Sequence, residues 1–249
     1  MVLPGLAGVL LGFVAGVWCL TRAKPSLRGD FSWGFGLMWF GTMNVVGLPL
    51  YCWVRSDVAL YDELYAATLS FTMCACISAI FALLSNCGHI DDGEQGTHGT
   101  LMSVCLFILI VISSLTQRAS VAGKDSTPQM LLELLYFLCI ALLAPFMVYR
   151  WARSSTGGAW MFIALAALVT MALSPLLDAP LCWALGASAA PHAAVAAWAA
   201  VDVMVAALWM QHRAWRAAAA VADASQRAGV ADKAKEIEDN KEEASKKTD

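Results

Sequence analysis

Seven apolar stretches, most of them close to twenty residues long, are separated in this chain by short charged or Gly/Pro-containing segments. A bilayer core about 30 Å thick takes about 20 apolar helical residues to cross. The segmentation therefore predicts an all-α polytopic membrane protein, a bundle of about seven transmembrane helices over residues 1–211. The spans are expected near 2–20, 31–54, 64–85, 100–116, 129–149, 159–177 and 187–210. A charged, Ala-rich tail over 212–249 has too few apolar side chains to bury and reads as partly helical or disordered. Only 14% of the 249 residues are charged, against about 25% in soluble domains. The missing charge is missing in blocks, so the first partner to expect is the lipid bilayer. A net charge of −3 gives no reason to expect a nucleic-acid partner.

Lys and Arg positions predict the orientation. With the N-terminus outside, the inner segments hold Arg22, Lys24, Arg28, Arg150, Arg153, Arg213 and Arg216, against Arg55, Arg118 and Lys124 outside. The expected arrangement is N-terminus outside or lumenal and C-terminus cytoplasmic. The first run has no basic residue before it and three after it, unlike a cleaved signal peptide. Trp18, Trp33, Trp53, Trp151, Trp160, Trp183 and Trp209 fall near run ends, as in an aromatic belt. Gly8, Gly12 and Gly16 repeat every four residues and form a ridge that lets another helix approach at backbone distance. The ridge serves either internal packing or a homo-oligomer or partner helix.

The costly feature is Asp202, near the middle of the last run. A carboxyl at that depth costs roughly 2.5–3.5 kcal/mol on insertion scales, and such acids are functional by default. Its expected neighbours are Asn44, at the centre of the second run, and hydroxyls of the third. Glu133, Asp178 and His192 all fall in the outer half of the predicted bundle. An acid, an acid and an imidazole at one depth suit a weak metal site, a proton relay or plain headgroup contact. His192 lies about 15 Å from Asp202 along one helix, at 1.5 Å per residue. The eight cysteines fall mostly inside apolar runs, with no CxxC. Cys52 and Cys182 are both predicted outside, where an oxidising compartment would allow a bridge. His89 and His98 flank an acidic linker whose spacing fits no metal motif.

A retinal-binding opsin resembles this chain in helix count but needs a lysine in the last span, where Asp202 stands instead. Ser78-Ala-Ile-Phe-Ala82 and His192-Ala-Ala-Val-Ala196 resemble two elements of the alkaline ceramidase and progestin/adiponectin receptor superfamily. Alanines replace a histidine in each, so the zinc chemistry of that superfamily is not carried over. No G-x-S-x-G, P-loop, dinucleotide fingerprint or HExxH is present, and no cofactor is named by any motif. Three function classes follow. The first is a small transport or permeation protein whose polar path includes Asp202, Asn44, Glu133 and His192. The second is a lipid-acting hydrolase with an outer metal site, and the third a non-catalytic scaffold or accessory subunit. Transport ranks first because the midspan acid is the one expensive residue.

Overall fold

The structure, a computed structural model, describes residues 2–22, 29–52, 58–89, 127–153, 156–185 and 190–246. Among them every regular element is helical and none is a strand. The helices are α1 (Val2–Thr21), α2 (Asp30–Cys52), α3 (Val58–Asn86), α4 (Thr127–Arg153), α5 (Gly158–Leu185) and α6 (Ala190–Lys246). The fourth expected run, 100–116, lies outside the described residues. Two helices among those described, over Glu63–Asn86 and Met130–Arg153, are long and apolar enough to cross a membrane. Gly5–Thr21 and Gly158–Met171 are shorter apolar helices.

The glycine stripe decides how the bundle starts. A Cβ on Gly12 would lie 2.5 Å from Gly41 Cα, and one on Gly16 would lie 3.0 Å from Gly34 O. Only residues without a side chain let two helix backbones come this close. The residue pairs run in opposite order along the two helices, so α1 and α2 are antiparallel. The stripe is filled by α2 of the same chain, and a helix from a second molecule would have to displace it. The next helix packs as closely: Gly36 abuts Ser78, and Trp39 stacks on Phe71 with ring centres 5.6 Å apart.

Helix α3 ends in a Schellman turn. His89 N–H donates to Leu84 O and Gly88 N–H to Ser85 O, with Gly88 at φ 79°, a conformation that suits glycine because it has no Cβ to clash. The turn delivers His89 to Tyr149 near the end of α4, with Nε2 2.6 Å from Oη. Near the opposite ends of the same helices Tyr65 Oη donates to Glu133 Oε1 at 3.3 Å. These helices therefore run parallel. The chain leaves α3 at the end of the bundle where α4 finishes, and it enters α4 at the other end.

The main core gathers Leu37, Phe40, Met43, Leu143, Met161 and Leu208 with several small residues, and a smaller cluster joins α3 to α4 around Met73 and Leu132. Cys74 and Cys76 point into these two different clusters. The outside is apolar as well: on α4, Leu134 and Phe137 are each 64% exposed, beside exposed Met130, Leu131, Leu138 and Leu142. Past Gln211 the last helix continues to Lys246, and Val221, Val230 and Ile237 stand exposed along it.

Candidate functional site

Asp202, Asn44 and Gly8 come from three helices and meet at one point. A Cβ built on Gly8 would lie 2.6 Å from both Asn44 Nδ2 and Asp202 Oδ1. The amide and the carboxylate are thus no more than twice that distance apart, and the absence of a side chain at Gly8 is what leaves them room. Asn44 is fully buried and bonded on both sides: Nδ2 donates to Phe40 O at 3.0 Å, and Oδ1 accepts from Trp198 Nε1 at 2.6 Å. Asp202 is half-buried, and its Oδ1 has no hydrogen-bond partner among the described residues. The hydroxyls of α3 are not its partners. Thr68, Ser70, Thr72 and Ser78 each donate to the carbonyl four residues back on their own helix, the usual way to satisfy a hydroxyl in apolar surroundings.

Trp198 connects this group to a cavity of about 250 Å³ between α2, α3, α4, α5 and α6. Its indole forms part of the wall, with Tyr65, Tyr136, Met43, Met171 and Leu168. A second void of about 60 Å³ lies beside it and shares Met43, Thr72, Cys76 and Met204. Among the described residues no Asp, Glu, Lys or Arg lines either void. An apolar cavity of about 150 Å³ is enough to stay dry and take up benzene, so the larger void has room for more than one ring. Glu133 reaches the wall of this cavity through its bond with Tyr65.

The most heavily buried polar cluster was not expected from sequence. It lies where α2 starts and where α3, α4 and the apolar part of α6 end. Asp30, Ser85 and His212 are wholly buried, with Gln211, Asn86 and Arg150 nearly so. His212 Nε2 lies 3.0 Å from Asp30 Oδ1, and the ring sits 5.5 Å from Trp33. Arg216 Nη2 lies 3.3 Å from Asp30 Oδ2. Burial pushes the His212 imidazole below its ordinary value, while the Asp30 carboxylate pulls the other way and the Arg216 and Arg150 guanidiniums reinforce the drop. Arg150 has Nε and Nη2 buried without an acceptor, a costly arrangement for a donor. The sequence signal was present but weak: Asp30 opens an apolar run, and His212 closes another between Trp209 and Trp215.

The remaining candidates are scattered or undescribed. Asp178 and His192 fall on α5 and α6, but their side chains lie outside the described residues, as do those of Cys52 and Cys182 and all of His98. Among the described residues no group of three or more His, Cys, Asp and Glu side chains gathers to hold a metal. No family model, curated protein or solved structure matches this chain.

Proposed function

We propose that the protein is a seven-helix membrane transport or permeation protein, N-terminus outside, that carries a small neutral amphiphile and couples it to a proton on Asp202. One observation carries the reading. The Asp202 carboxylate faces Asn44 with an unpartnered oxygen, and Asn44 is bonded to Trp198 in the wall of the cavity. A solute that displaces the indole disturbs the Asn44 amide, and the amide is the polar neighbour that decides how well a charged Asp202 is tolerated. An uncharged wall selects a neutral solute, since an ion there would lack any partner. The seven-span arrangement is supported by direction: α3 and α4 are parallel, as the third and fifth spans of such a bundle would be. The apolar outer faces of α1 and α4 support a lipid surround.

The test uses liposomes holding the full-length protein and an internal pH dye, with a panel of small aromatic and short-chain neutral solutes added outside. Solute-dependent proton flux is expected from the wild type, and Asp202→Asn abolishes it. Wild-type flux equal to that of Asp202→Asn, with and without every solute, ends the reading.

A further inference from the structure

Three arginines converge on one tryptophan where α1 and α6 leave the apolar zone side by side. The guanidinium carbons of Arg22, Arg213 and Arg216 lie 5.4, 5.3 and 5.2 Å from the Trp18 ring centre. Arg213 also lies 5.4 Å from the Trp209 ring, and the two indoles pack edge to face at 6.1 Å. Trp18 and Arg22 are four apart on one helix, and Trp209, Arg213 and Arg216 repeat at four and three on the other. Each set therefore shares a face, and the two faces meet.

Among the described residues the charge at this place does not balance. Arg216 faces Asp30, where its Nη2 also donates to Arg22 O at 2.7 Å, and its Nη1 has no acceptor. Arg22 and Arg213 are exposed and form no ion pair among the described residues. Three cations share one ring, and the carboxylate that faces them among the described residues, Asp30, is buried behind Arg216 against His212. Away from the arginines, the outer face of α1 continues as exposed Val17, Val14 and Leu10, an aliphatic track leading from the cluster into the apolar zone.

We infer that this cradle binds the phosphodiester headgroup of an anionic phospholipid, with Arg22 and Arg213 on the phosphate, the indoles at the glycerol level and an acyl chain along Leu10, Val14 and Val17. The inference rests on the membrane reading above but not on transport. Planar guanidiniums match phosphate oxygens in pairs, and basic pockets between helices at a membrane surface are the places where acidic headgroups lodge. A zwitterionic lipid brings its own cation to a site where Arg22 and Arg213 form no ion pair among the described residues. The aliphatic track is what distinguishes a lipid from free phosphate, which has no use for it.

The test titrates detergent-solubilised full-length protein with a fluorescent phosphatidylglycerol and, separately, with a phosphatidylcholine of the same chains. Phosphatidylglycerol is expected to bind preferentially and to weaken with salt. In R22Q/R213Q it should bind about thirty-fold more weakly, with phosphatidylcholine unchanged. That is roughly 1 kcal/mol for each interfacial basic residue, converted at 1.4 kcal/mol per tenfold. Both side chains are exposed, and an unchanged melting temperature checks the fold. Equal binding of the two lipids overturns the inference, as does a double variant that binds like the wild type. Inorganic phosphate that displaces the lipid at comparable concentration overturns the lipid assignment in favour of a plain anion site. The membrane reading is tested apart, by flotation of the protein with liposomes. A protein that floats yet fails the titration loses only this inference, whereas one that does not float loses the membrane reading itself.

Discussion

Gly12→Ala adds one methyl group where two backbones meet. Its Cβ would lie 2.5 Å from Gly41 Cα and N and 2.7 Å from Leu37 O, whereas ordinary contact begins at 3.4 Å. None of these atoms is the tip of a side chain that can swing away, so α1 itself must retreat by about 0.9 Å, the difference between 3.4 and 2.5. That retreat also loosens the contacts of Gly8 and Gly16 on the same stripe. Forcing an extra methyl into a packed interface costs about 1–3 kcal/mol. Alanine recovers about 1 kcal/mol through helix propensity, which leaves a net loss of up to about 2 kcal/mol. For a chain of this length 1 kcal/mol shifts Tm by about 2–4 °C, so a fall of a few degrees is expected.

Two further glycines make the measurement specific, because the propensity gain is common to all three. On Gly41 an added Cβ would meet the Phe13 ring at 3.1 Å and its backbone N at 3.2 Å, which asks for only a few tenths of an ångström. On Gly229, in the projecting part of α6, it would meet nothing within 4 Å. Thermal melts of the purified variants in one detergent should order them Gly12→Ala below Gly41→Ala, and Gly229→Ala level with the wild type or slightly above it. A Gly12→Ala protein that melts with Gly229→Ala refutes the backbone contact and the antiparallel pairing inferred from it.

Trp198→Phe keeps an aromatic wall on the cavity and removes the bond to Asn44, leaving a buried acceptor unpaired at about 1–3 kcal/mol; solute-dependent proton flux should fall, but less than in Asp202→Asn, and full flux would disconnect the cavity from the acid. Burial holds the His212 imidazole below the ordinary range for a histidine, about 6.5, so on acidification the unfolded chain takes up that proton first. Stability should therefore be intact above about pH 6.5 and decline below it. His212→Gln should flatten that decline in melts taken across the same pH range, and an unchanged slope would mean that other groups govern it.

The helices were legible in sequence because apolar length alone marks them, and the spacing of Gly8, Gly12 and Gly16 marked a close approach without saying to what. The depth of Asp202 and Asn44 was legible for the same reason. Their partners were not. Whether Asp202 meets a hydroxyl of α3 or the amide of Asn44 depends on how α6 is rotated, and a nearly all-apolar helix has too little polar pattern to reveal its rotation. The α3 hydroxyls were plausible partners by depth, yet each had an acceptor within its own helix. The tail stood open between helix and disorder for another reason. A shortage of apolar side chains argues against a packed domain, but Ala, Lys and Glu favour a helix whether or not it packs, and α6 runs on to Lys246.

Asp30 and His212 show how far charge counting reaches. Counting assigns Arg22, Arg150, Arg213 and Arg216 to one side by the parity of the spans alone. The contacts bring the same groups to one end of the bundle independently: Arg216 reaches the Arg22 carbonyl and Asp30, and Arg150 acts on the His212 ring. What counting leaves out is the acid. Carboxylates carry little weight in setting orientation, so Asp30 drops out of the tally, although it is the buried group on which His212 and Arg216 converge. Its pairing joins the second helix to the last across most of the sequence. Closure of the bundle at this end therefore depends on the residue that a topology count ignores.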